Sequence, residues 1–313
     1  MTRNRIKYFG TAVCLILLMT AMKGVGQQDP QHTQFMWDQS SLNPAYTGIE
    51  ESLSSSLFLR QQWLGIEGAP KSEYVSIHTP IMNRQGGVGA VVWHDQIGIN
   101  NQLRVKFQGA YNLRLSKGYL RFGLSAEWMN WSMKWTDTSP DEGGDLSIPD
   151  ADLSENALNG GFGMMYHTDL LYVGFSIPNL MENQWVFDSD ETNAFATMEE
   201  SRHYYLNAGR AFKLNPKLIL KPAMMVRYVQ GAPIQTDVNA SFLFNKTLWV
   251  GASYRLGDSV DLLFEYTVTR QLTIGYSFDF TLSKLQNHQG SHELFLGFNL
   301  EKKKDGFNHP RFF

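Results

Sequence analysis

Apolar and small or polar residues alternate strictly through the stretch LTIGYSFDFTL, residues 272–282. The even positions from Leu272 to Leu282 are aliphatic or aromatic, whereas the odd positions are Thr, Gly, Ser, Asp and Thr. A period of two residues is typical of a β-strand with one apolar and one polar face. The apolar face could contact the core of a sandwich, the interior of a barrel, or lipid.

Similar alternation recurs along the chain and predicts about fourteen strands. Many of them are about 9–14 residues long, near the length that crosses a bilayer at a tilt and longer than the usual strand of a soluble sandwich. An even number of strands is also typical of a single-chain bacterial barrel. The predicted strands are 52–63, 71–79, 87–97, 102–115, 119–130, 157–167, 170–177, 202–213, 217–228, 236–245, 248–256, 259–268, 271–282 and 292–301.

The connections between these strands differ in length according to their parity. Those after even-numbered strands are mostly tight, whereas the two longest, Ser132–Asn156 and Asn179–Ser201, follow odd-numbered strands. Short turns at one end and long loops at the other are typical of outer-membrane barrels. The sequence therefore predicts an all-β protein, a transmembrane antiparallel barrel of about fourteen strands with both termini in the periplasm. The tight connections are Ser116-Lys117-Gly118, Thr168-Asp169, Asn215-Pro216, Asn245-Lys246-Thr247 and Thr269-Arg270.

The N-terminus predicts export. A basic start precedes a mostly apolar stretch and the small residues Gly24 and Gly26, so residues 1–26 are predicted to be a cleaved signal peptide. Cys14, the only cysteine, lies within it, and the mature chain would use neither disulfides nor thiol chemistry. The predicted divisions that follow are a periplasmic or plug segment, 27–51, a barrel, 52–301, and a periplasmic tail, 302–313. The tail contains a basic run and ends in two phenylalanines.

The polar faces of the predicted strands carry charges of both signs. They could line a polar channel, or they could pair across strands to hold the wall or a plug. The residues predicted to face the lumen are Arg104, Lys106, Arg114, Arg121, Arg227, Arg255, Asp261, Glu265 and Asp279, joined by Arg60, Glu127, Lys221 and Asp237. Aromatic residues near strand ends predict interfacial girdles. These are Trp63, Trp93, Trp128, Trp131, Trp135, Tyr172, Tyr228 and Trp249.

No pattern in the sequence predicts catalysis or a cofactor. The eight histidines are scattered without metal-ligand spacing, and there is no nucleophile elbow or phosphate-binding glycine loop. A net charge of −3 and the lack of a basic stripe argue against nucleic-acid binding. The acidic stretch 179–201 is interpreted as a solvated loop, with cation or partner binding as the alternative. We therefore expect a non-enzymatic protein.

Short motifs near both ends of the chain do not follow the barrel pattern. They include QQDPQHTQFMWDQSSLNPAYTG, RQQWLGIEGAPKSEYVSIHTP, GSHE and the final PRFF. Their order and spacing resemble those of the PorP/SprF family of outer-membrane proteins in the type IX secretion system of Bacteroidota. The residues that carry this resemblance are Asn43, Pro44, Tyr46, Arg60, Trp63, Gly68, Pro70, Ser291, His292, Glu293, Pro310, Phe312 and Phe313.

The resemblance implies a barrel of the cell outer membrane, in contact with its lipid, that belongs to the secretion and gliding apparatus. It implies two partners: a secreted surface adhesin carrying a type IX C-terminal domain, and a periplasmic OmpA-like protein that binds peptidoglycan. The protein would anchor the adhesin or help to export it. The alternative is a passive porin for small solutes. The sequence leaves open whether residues 27–51 fill the lumen, and whether the tail docks on a partner or signals insertion.

Overall fold

The computed structural model describes residues 32–50, 52–137, 152–189, 194–282 and 288–300. Seventeen strands account for most of them, and all of their pairings are antiparallel. Three short 3-10 turns, at Pro44–Tyr46, Met82–Arg84 and Trp135–Asp137, are the described helical elements. None of the described helical segments has the length and apolar character needed to span a bilayer.

Neighbouring strands pair in sequence order, and the sheet closes on itself between its first and last strands, β1 and β17. β10 also pairs with both β7 and β12. β10 and β11 are separated by Ala211 alone and together form one long strand of the wall, while β8 and β9 form a separate hairpin. The closed barrel therefore has fourteen strands around its wall. The strands are β1 (Ser54–Gln61), β2 (Lys71–Ile81), β3 (Gly86–Ile97), β4 (Asn100–Arg114), β5 (Tyr119–Met133), β6 (Leu153–His167), β7 (Leu171–Ile177), β8 (Gln184–Ser189), β9 (Ala194–Glu199), β10 (His203–Arg210), β11 (Phe212–Asn215), β12 (Leu218–Val229), β13 (Gln235–Phe244), β14 (Leu248–Arg255), β15 (Ser259–Thr267), β16 (Leu272–Thr281) and β17 (Ser291–Asn299).

The alternation that predicts each strand also determines which face lies outside. Along β16, Leu272, Ile274, Tyr276 and Phe280 are exposed, whereas Thr273, Gly275, Ser277 and Asp279 are buried. Because the buried face is the polar one, the apolar face is not a protein core and lies on the outer surface of the barrel. The predicted barrel of fourteen antiparallel strands is confirmed.

The two ends of the barrel differ. We call the end with the connections after β2, β4, β6, β11, β13 and β15 the short-turn end, and the opposite end the loop end. β1 begins and β17 finishes at the short-turn end. At the loop end, the two long connections follow β5 and β7, as the sequence predicts.

Two predictions about local structure are wrong. The sequence predicts a loop over 179–201, but this stretch contains the hairpin of β8 and β9. The girdle prediction is also wrong for Trp93, Trp131, Tyr172 and Trp249, which face the interior: Trp131, Tyr172 and Trp249 are each at most 3 % exposed and Trp93 packs against the buried core. Trp128 and Tyr228 do lie on the outer surface. An aromatic residue near a strand end has the same sequence signature whichever way it points.

We expect a charge in the middle of the outer face to oppose folding into lipid. Phe264 is 45 % exposed and pairs across strands with Val250 and Tyr276, near the middle of the wall. Phe264→Arg should cost about 2–4 kcal/mol of folding free energy in lipid. The control Leu282→Arg, just beyond the end of β16, should cost about 0–1 kcal/mol because it lies near an interface. Urea titrations of folding into vesicles measure both, and equal costs at the two positions would contradict this placement of the outer face.

Candidate functional site

The interior of the barrel is polar and filled. Of the charged residues predicted to face it, Lys106, Arg121, Arg227, Arg255, Asp261, Glu265 and Asp279 are buried. The Arg104 side chain is 12 % exposed inside the loop end, whereas Arg114, the last residue of β4, is exposed at the short-turn end. Nearly all of these side chains therefore lie within the lumen. Arg114 is exposed because it is the final residue of its strand, at the rim of the barrel.

Residues 32–50 occupy the lumen, and we call them the plug. Every one of them is buried. The plug begins near the loop end, where the His32 ring stacks between Phe58 and Trp93 at centroid distances of 4.7 and 4.8 Å. It continues to Thr47 and Gly48, next to the start of β3 at the short-turn end. Its contacts with strands on several sides of the wall place the plug across the lumen.

A compact turn forms the short-turn half of the plug. Asn43 caps the 3-10 turn Pro44–Tyr46, and its side-chain oxygen accepts from the Ala45 N–H at 2.9 Å. The Asn43 Nδ2 group faces the carbonyl oxygens of Met164 and Phe175 at 3.3 and 3.4 Å. An asparagine suits this position because its carboxamide accepts from the turn and donates to the wall at the same time.

Glycines in the wall let this turn approach the barrel backbone. A Cβ atom on Gly123 would lie 2.5 Å from the Pro44 carbonyl oxygen, and one on Gly87 would lie 2.7 Å from the Cα atom of Gly48. Both distances are too short for a side chain, so Gly87 and Gly123 are required for the close approach of backbone to backbone. We call them, with Gly163 against Asn43, the glycine seat.

Arg121 fixes the turn against the seat. Its Nε group donates to the Ala45 carbonyl oxygen at 2.7 Å, and its Nη2 group donates to that of Thr47 at 2.5 Å. Arg121 is 2 % exposed, so the planar guanidinium satisfies two plug carbonyls that no water reaches.

The other half of the plug is held where β1 meets β17. Arg60 on β1 and Glu293 on β17 are register partners, and Arg60 also donates to Asp279 on β16 at 2.6 Å. The Glu293 carboxylate accepts from the backbone N–H groups of Thr33 and Gln34 at 2.9 and 3.0 Å. We call Thr33, Gln34, Arg60, Asp279 and Glu293 the seam cluster. It joins the first strand, the last strand and the plug in one network of buried charges.

Just beyond the seam cluster, two loops meet at the loop end. The Trp63 N–H donates to Ser291 Oγ at 3.2 Å, and Leu64 and Gly290 are joined by a backbone hydrogen bond of 2.9 Å. Trp63 has a φ of 44°, unusual for a bulky residue and a sign of local strain. The motifs that contain Arg60 with Trp63 and Ser291 with Glu293 are therefore in direct contact, although some 230 residues separate them (293 − 60 = 233).

The remaining motif residues lie apart from this contact. The Gly68 and Pro70 carbonyl oxygens accept from Gly98 and Gln62 and shape the loop after β1. His292 is on the outer face, where its Nδ1 atom lies 2.7 Å from Tyr276 Oη. Asn43, Pro44 and Tyr46 belong to the plug. Pro310, Phe312 and Phe313 lie outside the described residues.

A second polar cluster, which the sequence did not predict, holds the base of the β8–β9 hairpin. The carboxylate of Glu200 accepts from the Nδ2 groups of Asn159, Asn179 and Asn183 at 2.9 Å each, and Arg104 lies 3.2 Å away. Glu200 was grouped with the acidic loop, but it is 8 % exposed. The local sequence around Glu200, an acidic stretch followed by Ser201, does not predict hydrogen bonds from three asparagines elsewhere in the chain.

A small cavity lies beside these contacts. It is next to Leu42 and Lys106 and has a volume of about 30 Å³, enough to hold water. Lys221 is wholly buried, with its ammonium 5.2 Å from the Trp37 ring and 5.9 Å from that of Trp249. Among the described residues, no group of three or more His, Cys, Asp or Glu could hold a metal ion.

Comparison with known proteins agrees with this architecture. Residues 24–298 match the model of the family described as type IX secretion system membrane protein PorP/SprF. Among solved structures, the toluene transporter TbuX of Ralstonia pickettii is similar with a TM-score of 0.53 and 12% identity, covering 90% of this chain and 97% of its own. A Pseudomonas aeruginosa FadL homologue gives 0.51 and 11%, covering 84% and 94%. No curated protein matches the sequence.

Filling the glycine seat should displace the plug. Gly123→Val places a side chain against Pro44 and Ala45, and we expect it to lower the stability of the barrel by about 1–3 kcal/mol. It should also expose Phe35, Trp37 and Tyr46 to chymotrypsin. Gly109→Val is the matched control, because a Cβ atom there has no neighbour within 4 Å. Cleavage and unfolding curves that are the same for both variants would show that the seat does not hold the plug.

Breaking the seam cluster should cost more than neutralising it. Arg60→Met leaves the buried carboxylates of Asp279 and Glu293 without their cation, and we expect a loss of about 3–5 kcal/mol. The triple variant Arg60→Met/Asp279→Asn/Glu293→Gln removes those charges as well and should recover part of the loss. Denaturant midpoints compare the two. A triple variant less stable than Arg60→Met would contradict the role assigned to the charges.

Proposed function

Since the chain belongs to the PorP/SprF family of type IX secretion system membrane proteins, we propose that it is a non-enzymatic anchor for a secreted partner. The protein is a β-barrel of the outer membrane. In this proposal it retains a surface adhesin carrying a type IX C-terminal domain, or assists its export. The observation that carries the proposal is the plug, because a barrel whose lumen holds residues 32–50, hydrogen-bonded to the wall near both ends, suits a scaffold better than a conduit.

Two features of the loop end support partner docking there. The contact between Trp63 and Ser291 joins the loops on either side of the seam, and Glu200 fixes the base of the β8–β9 hairpin. Both use buried polar contacts, which hold loops in one conformation and so reduce the entropy lost when a partner binds. We infer that this end faces the cell surface, since long loops of outer-membrane barrels do so.

The opposite end would then face the periplasm. Both described termini of the barrel lie at this short-turn end, which suits contact with a periplasmic OmpA-like protein that binds peptidoglycan. The arrangement would link a surface adhesin to the cell wall through one rigid body. The support for this second partner is the family membership and the position of the barrel termini.

A passive channel for small solutes is the alternative. TbuX, which shares the fold, is a toluene transporter. An identity of 12% extends the likeness to the fold alone. A channel needs a continuous path for solutes through the lumen, and residues 32–50 occupy the lumen.

Conductance and surface display together distinguish the two functions. In planar bilayers the wild-type protein should give little steady conductance, because the plug is held at both ends. Deleting the gene should remove a surface adhesin that carries a type IX C-terminal domain, detected by mass spectrometry of proteins released by surface proteolysis. Complementation with the control variant Gly109→Val should restore display. Large steady conductance together with intact adhesin display after gene deletion would overturn the proposal.

A further inference from the structure

Basic residues encircle the short-turn end. Every connection at this end except that between β6 and β7 contributes at least one exposed Lys or Arg, either in the turn or at its edge. We call these residues the basic ring. They are Arg84, Arg114, Lys117, Arg210, Lys213, Lys217, Lys246 and Arg270. Among the described residues of this end, Asp169 is the one exposed acidic residue.

The loop end has the opposite charge. Its exposed acidic residues among those described are Glu67, Glu73, Asp152, Glu155, Glu182 and Glu199. Its exposed basic residues in the same part of the chain are Lys71 and Lys134. A formal charge of −3 over the whole chain conceals this asymmetry, which appears only when the strands are assembled and the turns are brought to one rim.

The basic ring lies beside the apolar outer surface. Lys117 follows exposed Leu115 by two residues, Lys246 follows Phe244, and Arg270 lies between Val268 and Leu272. A cation at the edge of an apolar surface can keep its stem along the hydrocarbon while the charged group reaches the headgroup region. The repeated pairing of an outward apolar residue with a turn cation is therefore the arrangement of a membrane interface.

One further position shows the same pairing. Phe212 and Leu214 are 41 % and 54 % exposed on the outer surface, whereas Lys213 between them belongs to the inner face, opposite buried Ile219. The Arg210 guanidinium lies over the Phe212 ring, 5.0 Å from its centroid, so both groups sit together on the outer surface. Binding of an acidic partner protein would need cations that project away from the membrane. The cations described here instead lie next to the outer surface that contacts lipid.

We propose that the basic ring binds the phosphate groups of anionic lipid headgroups in the leaflet at the short-turn end. Cations near a charged bilayer surface attract such lipids, and clusters of Lys and Arg beside a membrane-spanning segment recognise them. The ring thereby selects the lipids that surround this rim and fixes the depth of the barrel in the bilayer. The inference does not depend on what the loop end binds, or on the lumen being closed.

Lipid retention by the full-length protein tests the proposal. The purified protein is reconstituted in equal parts of phosphatidylglycerol and phosphatidylcholine, extracted with mild detergent, and analysed by native mass spectrometry. The wild-type protein should retain phosphatidylglycerol in preference, more strongly at 0.05 M than at 0.5 M salt because ions screen the attraction (Debye lengths of roughly 14 and 4 Å). Lys117→Gln/Lys217→Gln should reduce the ratio of the two retained lipids by up to about five-fold per cation.

The matched control is Lys71→Gln/Lys134→Gln, which removes two exposed lysines from the loop end and should leave the ratio within about two-fold of wild type. Adding Arg270→Gln to the first variant should lower the ratio further. No lipid preference in the wild type, or equal losses in the two double variants, overturns the proposal. A third result would also overturn it. If the short-turn variant keeps its lipid preference but loses an acidic protein that co-purifies with the wild type, the ring is assigned to protein docking.

Discussion

The closed wall puts polar groups on its inner surface, and those groups need partners. Strand alternation leaves Arg60, Asp279 and Glu293 facing a lumen too narrow to fill with bulk water once residues 32–50 are inside. Thr33 and Gln34 supply two backbone N–H groups to the Glu293 carboxylate, and Arg60 supplies the opposite charge. A buried charge without such partners costs several kcal/mol, so the plug and the inner wall each require the other.

That dependence links the two ends of the sequence. The seam cluster contains residues of the plug, of the first strand and of the last two strands, so it can form only when the barrel closes. The hydrogen bond from Thr33 to Glu293 spans 260 residues (293 − 33 = 260). Such distant contacts carry a large loop-closure entropy, which must be offset by the contacts that form. The contacts that complete the wall and those that hold the plug therefore share residues at this seam.

The two ends of the barrel differ in chemistry. The loop end has Trp63 in a left-handed backbone conformation and a hairpin whose base is held by four donors to Glu200. The short-turn end has exposed cations beside apolar residues of the outer surface. Between them the plug contacts the inner wall at both ends.

Alternation in residues such as Leu272 to Leu282 was enough to predict the strands, their order and the outward direction of their apolar faces, because a period of two is set by local backbone geometry. It was also enough to predict most of the charges that face inward, with Arg114 as the exception. It did not predict the direction of Trp93 or Trp249, the β8–β9 hairpin, or the partners of Glu200, since each depends on residues far away in the chain. The sequence by itself determined the wall and, through its motifs, the family. Only the tertiary structure decided that residues 32–50 lie in the lumen, that Gly87 and Gly123 form a seat for Asn43–Gly48, and that the turn cations share one rim, because these features exist only where separate strands meet in space.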